Sequence, residues 1–149
     1  MAEFQYAADK FVFRVKKDLL YSRNDVWIKP ETDGTMRIGL TDFAQRRSGD
    51  IVFAEVSPAG TELERGGLLG SYETVKIVQD ILSPVDGQII EVNQAIGSMP
   101  EIINRDPYGE GWVAVLKPES GSEGLLKAED YFELMKVRVV EELKKIKGL

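Results

Sequence analysis

The chain has no histidine and no cysteine among its 149 residues. Without an imidazole there is no serine–histidine triad, no cysteine–histidine pair and no histidine-ligated zinc site. Without a thiol there is no disulfide and no cysteine nucleophile, and any sulfur chemistry has to come from a cofactor. The phosphate-cradling patterns G-x-x-x-x-G-K-[ST] and G-x-G-x-x-G are also missing. No segment offers the roughly 20 mostly apolar residues that span a bilayer. The first 20 residues are broken up by charges and lack the apolar core and small-residue cleavage site of a secretion signal. The reading is of a cytoplasmic protein that engages no membrane. Basic residues are in deficit, 19 against 25 acidic, for a net charge of -6. That balance argues against nonspecific nucleic-acid binding, which depends on many phosphate contacts. Proteins with complementary patches are the expected partners.

What is present fits a single core of ordinary domain size. Short runs of β-branched, aromatic and aliphatic residues are punctuated by glycine and proline. Asp33-Gly34 predicts a hairpin joining Asp25–Lys29 to Met36–Leu40. Thr41 is placed to cap a short helix that ends near Gly49. Ile51–Val56, Gln88–Val92 and Trp112–Leu116 read as further strands, with a turn at Pro58-Ala59-Gly60. The pattern predicts a mainly β, mostly antiparallel sandwich or barrel. Residues 1–20 form an N-terminal arm or extra strand, because Lys10–Lys16 alternates polar and apolar side chains. Residues 119–149 form a loop, Ser120–Gly124, followed by an amphipathic helix with Phe132, Met135, Val139, Leu143 and Ile146 at helical spacing. Lys144, Lys145 and Lys147 fall in its last turns, where cations suit the helix dipole.

Independent catalysis finds little support. Asp106 and Glu110 are a conceivable carboxylate pair, but a negatively charged loop that holds Tyr108 and Trp112 in place is the ordinary explanation. The residue singled out is Lys76. Leu68–Thr74 and Ile77–Leu82 read as two strands bounded by Gly66-Gly67 and by Ser83-Pro84-Val85-Asp86-Gly87, so Lys76 stands at the tip of a hairpin. Val75 resists the positive φ of a type I′ turn, which favours a type I turn or a slightly longer loop. A solvated surface lysine is the ordinary reading of such a residue. A Schiff-base role would need a desolvated pocket to depress its pKa, and a hairpin tip keeps it wet.

The arrangement Glu73-Thr74-Val75-Lys76, followed by Asp80 and Pro84-Val85-Asp86-Gly87, resembles the lipoyl-lysine hairpin of the glycine cleavage system H-protein family. Further segments follow in the family's order. They are Ile38–Gln45, Gly49–Val56 and Pro58-Ala59-Gly60 before the hairpin, and Glu91-Val92-Asn93, Pro100–Asn104, Asp106–Trp112 and Lys117-Pro118 after it. The resemblance runs from about Tyr21 to Tyr131, with residues 21–118 as its lipoyl domain. It implies a lipoyl/biotinyl-type barrel-sandwich hybrid with short helices. It implies lipoate held covalently on Lys76 as lipoamide, with Glu73 and Asp80 as accompanying acidic residues. It also implies a carrier with no catalytic residues of its own. A lipoate ligase or lipoyl transferase would load it, and glycine cleavage enzymes, among them lipoamide dehydrogenase, would be its partners. Biotin is the nearest competing modification. Biotinyl lysines usually lie between methionines, whereas Val75 and Ile77 flank Lys76.

The chain also departs from the family's pattern. Ahead of its tryptophan the family typically has histidine and then an acidic residue credited with holding the charged aminomethyl cargo. Here those positions are Asp25 and Val26, before Trp27. Asp80 matches the other acidic residue credited with that contact. Tyr72 and Ile77 are bulkier than the family's usual valine and alanine. These differences tilt the reading towards the family's lipoate-binding proteins of sulfur oxidation, whose partner is a heterodisulfide-reductase-like complex. A divergent glycine cleavage H protein and an unlipoylated binding or scaffold module stand as alternatives.

Overall fold

A computed structural model describes residues 2–147. In chain order the elements are β1 (Glu3–Ala8), β2 (Phe11–Lys16), β3 (Leu20–Tyr21), β4 (Val26–Pro30), β5 (Met36–Leu40), α1 (Asp42–Ser48), β6 (Ile51–Val56), β7 (Glu62–Leu63), β8 (Leu68–Thr74), β9 (Val78–Leu82), β10 (Gly87–Val92), α2 (Ala95–Ser98), α3 (Ile102–Arg105), β11 (Ala114–Pro118), β12 (Leu126–Lys127) and α4 (Ala128–Lys147). Every strand pairing is antiparallel. One sheet runs β12-β3-β4-β5-β11-β10-β7, a second β6-β8-β9, and β1 with β2 forms a separate hairpin.

The expected mainly β architecture with a C-terminal helix is present. Val26, Ile28, Ile38 and Leu116 from the larger sheet and Ile51, Leu69, Tyr72 and Ile81 from the smaller one share a single buried cluster. Strand alternation accounts for this, since each strand turns every second side chain inward. Trp27 opposes Gly39 across the β4–β5 pair. A Cβ on Gly39 would lie 2.6 Å from the indole, so glycine there makes room for the ring. The indole N–H in turn donates to the Pro107 carbonyl at 2.8 Å, tying the large sheet to the loop before β11.

A second apolar cluster joins β2, α1 and α4 through Phe13, Val15, Phe43, Tyr131, Met135 and Val139. Tyr131, Met135 and Val139 lie four residues apart along α4 and are all buried, as the helical spacing predicts. The packing of Ile146 and the last-turn position of the Lys147 side chain lie outside the described residues.

Strands β4, β9 and β10 begin one residue away from the sequence reading, and two larger differences have a local cause. The N-terminal arm is a two-stranded hairpin, with Glu3 paired to Lys16 and Ala8 to Phe11. Its turn uses Asp9 at φ 54, a conformation that aspartate tolerates better than most residues. β11 starts at Ala114, not at Trp112, because the Trp112 N–H closes a turn onto the Gly109 carbonyl instead of joining the ladder. Thr41 and Gly49 bound α1 as expected. The Thr41 hydroxyl oxygen accepts the Ala44 N–H at 3.2 Å, and Gly49 leaves the helix at φ 86.

Candidate functional site

Lys76 does stand at a hairpin tip. β8 and β9 pair Ser71 with Asp80, Tyr72 with Gln79 and Glu73 with Val78. The Thr74 N–H then donates to the Ile77 carbonyl at 2.9 Å, leaving Val75 and Lys76 as the two residues of the bend. Asp9 and Asp25 are the non-glycine residues with positive φ among those described, so the tip avoids the primed turns. The buried Thr74 hydroxyl accepts the N–H groups of both Lys76 and Ile77 at 3.2 Å. These bonds brace the bend that a primed turn would otherwise stabilise. Val75 is 91% exposed and Lys76 is exposed beside it.

Beneath the tip lies a platform built from the C-terminal end of α1. The Lys76 Nζ donates to the Arg47 carbonyl at 3.4 Å. A Cβ on Gly49 would come within 3.4 Å of the lysine Cε, so the side chain lies over the glycine backbone. Asn104 of α3 holds that backbone from below. Its amide nitrogen donates to the Gly49 carbonyl and to Gln45 Oε1, both at 3.0 Å, and its oxygen accepts the Ile51 N–H at 2.8 Å. Ser48 Oγ donates to the Ala44 carbonyl at 2.8 Å and lies 2.8 Å from the Tyr72 hydroxyl. Serine has one proton to give, so the tyrosine is the donor between them. α1 is thereby bolted to the lysine hairpin.

To one side of the platform is a cavity of about 200 Å³, walled by Asp25, Leu40, Arg47, Tyr72, Asp80 and Arg138, among others. Asp25 is buried and sits at φ 65. Its Oδ1 accepts from Arg138 at 2.8 Å and from the Tyr131 hydroxyl at 2.8 Å, and Arg47 approaches Oδ2 at 3.6 Å. Burial pushes the Asp25 carboxyl above its ordinary range, against the pull of Arg138, Tyr131 and Arg47. Burial also raises Tyr131, and the neighbouring Asp25 charge adds to that shift. Val26 is buried in the main apolar cluster and does not line the cavity. Asp80 lines the cavity, whereas Glu73 is exposed on the hairpin and does not.

On the other side, Phe11, Phe13, Phe43, Val139 and Leu143 form an apolar groove that reaches Lys76 and holds about 110 Å³. A reachable amine on a braced tip, with room on either side, fits a long arm attached through an amide. No group of carboxylates arranged to hold a metal occurs among the described residues. Asp106 accepts the Glu110 backbone N–H at 2.9 Å within its own loop. Among the described residues no helix is long and apolar enough to cross a membrane.

Sequence reasoning missed Arg47, Asn104, Tyr131 and Arg138. Tyr131 and Arg138 reach the site from more than a hundred residues away, and only the docking of α4 brings them there. Asn104 lies within Pro100–Asn104 but carries no local sign of its role.

Comparison with known proteins agrees with this geometry. The family model described as glycine cleavage H-protein matches residues 19–138. The chain is 44% identical over 120 residues to the glycine cleavage system H protein of Coprothermobacter proteolyticus, covering 79% of this chain and 94% of that one. It is 40% identical over 127 residues to a probable glycine cleavage system H protein of Pyrococcus abyssi, covering 83% and 94%. Among solved structures it is similar to a glycine cleavage system H protein from Mycobacterium marinum. The TM-score is 0.73 at 32% identity, over 91% of this chain and all of that one.

Proposed function

The chain belongs to the glycine cleavage H-protein family, and from that premise we propose that it is a carrier whose lipoate is attached to Lys76. The observation that carries the assignment is the exposed Lys76 amine on a two-residue bend braced by Thr74 and backed by α1. Amide formation removes the lysine charge and leaves an N–H that can still donate to the Arg47 carbonyl. When bound, lipoate supplies a dithiolane whose reduced sulfurs hold the transferred fragment. The hairpin keeps the attachment point fixed while the chain docks on one enzyme after another, and tethering keeps the intermediate at high local concentration. Glu73 and Asp80, on the strands that flank the bend, supply acidic contacts for a lipoate ligase or lipoyl transferase. Residues 21–118 form the lipoyl domain, with residues 1–20 and 119–149 as its flanking parts. The protein works in the cytoplasm and contributes no catalytic group of its own.

Two cargoes suit such a carrier. The relatives' names support a place in a glycine cleavage system, and in this first reading the arm carries aminomethyl groups among the glycine cleavage enzymes, lipoamide dehydrogenase included. Val26 in the place of an ammonium partner supports the second reading, in which the arm carries sulfur to a heterodisulfide-reductase-like complex. Intact mass and peptide mapping of the protein from its native host test the attachment. A single lipoyl increment on Lys76 is the expected result, and a bare Lys76 overturns it.

A further inference from the structure

The apolar groove beside Lys76 is built largely from parts that lie beyond the family match. Phe11 and Phe13 belong to β2, and Val139 and Leu143 to the last turns of α4, whereas the family model matches residues 19–138. Phe43 of α1 joins them from within that match. The three phenyl rings follow one another, Phe11 to Phe13 at 6.1 Å and Phe13 to Phe43 at 5.9 Å between centroids. The other charged residues of the rim are committed elsewhere. Arg46 pairs with Asp42 at 3.1 Å, Arg47 with Asp25 at 3.6 Å, and Glu142 with Lys145 at 3.9 Å. Lys76 is the remaining cation of the lining, and lipoylation turns it into a neutral amide. What the groove then offers is hydrocarbon and aromatic surface that begins at the attachment point. Accepting the lipoylation of Lys76 as proposed above, we infer that the N-terminal hairpin and the end of α4 form a rest for the unloaded arm, whose methylene chain and oxidised dithiolane lie against Phe11, Phe13 and Leu143.

An unloaded arm carries no charge, so its driving force into the groove is the removal of methylenes and ring from water. Sulfur set against the edge of a phenyl ring adds a favourable contact. Both effects are modest, but the arm is tethered where the groove begins, and a short tether gives an effective concentration of about millimolar or more. A weak site is then filled. The groove is also a fixed part of the fold, because Phe13 packs on Phe43 and the Tyr108 hydroxyl donates to the Arg14 carbonyl at 2.7 Å. A resting arm of this kind shields the dithiolane until a docked enzyme draws it out.

Protein made with lipoate and a lipoate ligase is compared with the unmodified chain by amide NMR. Attachment should move the signals of Phe11, Phe13, Val139 and Leu143, beyond the expected changes at the tip itself. Dithiothreitol, which reduces the ring to two thiols and is itself oxidised to its cyclic disulfide, reads the shielding. Reduction should run about tenfold slower than for free lipoamide, as for an arm that spends roughly nine-tenths of its time in the groove. The double variant Phe11→Ser, Leu143→Ser changes two half-buried positions and should bring the rate to within about twofold of free lipoamide. Leu143→Trp fills the groove instead of emptying it and should have the same effect. Val140→Ser, an exposed position on the same helix, should leave the rate unchanged. Signals that move at Asn24, Leu40 and Gln79 in place of the groove put the arm on the other side of the platform and overturn the inference. So does reduction at the free rate, or shielding that survives both groove variants. Shifts that grow with protein concentration assign the groove to a second copy and overturn it as well. Intact mass taken before any spectrum separates the two proposals. A chain that never gains lipoate fails at Lys76 and takes both readings down, whereas an attached arm that ignores the groove fails only here.

Discussion

The Tyr72 hydroxyl donates a hydrogen bond to Ser48 Oγ at 2.8 Å, inside the core, between the strand that leads to Lys76 and the end of the helix beneath it. The bulk of Tyr72, which reads from sequence as a departure from the family's pattern, thus has a definite use. Tyr72→Phe keeps the ring and removes the donor, leaving a Ser48 lone pair unmatched. It should cost about 1 kcal/mol of stability in urea unfolding. Ser48→Ala should cost a similar amount, and the double variant less than the sum of the two, since they share one bond.

Asn104 makes three hydrogen bonds that hold the turn between α1 and β6 under the lysine. Asn104→Ala removes all of them and strands the Ile51 N–H. A loss of about 2 kcal/mol is expected. Hydrogen exchange at residues 49–51 should accelerate, and so should exchange at Lys76, whose side chain rests on Gly49. Unchanged exchange at both places would show that the platform does not depend on Asn104.

The hairpin, its tip and the Thr41-to-Gly49 helix were legible because each is specified by neighbours in sequence: strand formers between breakers, a capping threonine, a glycine stop. The cavity wall was not. Asp25 and Val26 are adjacent in the chain, yet one faces two arginines and the other the apolar core. Strand alternation predicts that they part company but not which of them faces the site. Arg138 reads as one more cation on an amphipathic helix until α4 docks by Tyr131, Met135 and Val139. β1 escaped notice because its turn contains no glycine, and its pairing depends on Asp9 accepting a left-handed conformation.

Asp25 gives a pH signature. Its folded pKa lies above the ordinary carboxylate value of about 4, so the folded state holds the proton more tightly than the unfolded state does. The stability it contributes is therefore present at low pH and is lost as pH rises through the folded pKa. Asp25→Asn mimics the neutral form at all pH values. Near pH 3 the two proteins should agree within about 0.5 kcal/mol. As pH rises above about 4, the wild type should lose stability relative to the variant and then level off. Chemical denaturation at a series of pH values measures this difference, in which the other carboxylates cancel. A difference that runs the opposite way would mean that Arg138 and Arg47 outweigh the burial.

The N-terminal hairpin is part of the fold. Phe13 is buried against Phe43, with ring centroids 5.9 Å apart, and the Tyr108 hydroxyl donates to the Arg14 carbonyl at 2.7 Å. Phe13→Ala should cost about 3 kcal/mol or more, as expected for emptying a closed aromatic site. Phe4 is half-buried and stacks on Phe132 at 4.9 Å. Its replacement by alanine should cost about 1.5 kcal/mol, as a partly exposed stack can relax or admit water. Thermal melts of the two variants rank them directly, and equal small losses would mean that the hairpin is only loosely attached.

Lys76→Arg separates attachment from folding. The side chain is exposed, and its recorded bond is the long contact to the Arg47 carbonyl, so the melting temperature should change by less than about 2 °C. Guanidinium keeps the positive charge but cannot form the amide that a ligase makes with an amine. The variant should therefore gain no lipoyl mass, contain no titratable thiol after reduction, and lose cargo transfer completely. A neighbouring lysine cannot take over by chance, because the bend braced by Thr74 presents position 76 alone at its tip. Lipoyl mass retained on Lys76→Arg protein would place the attachment elsewhere in the chain, and peptide mapping would then say where.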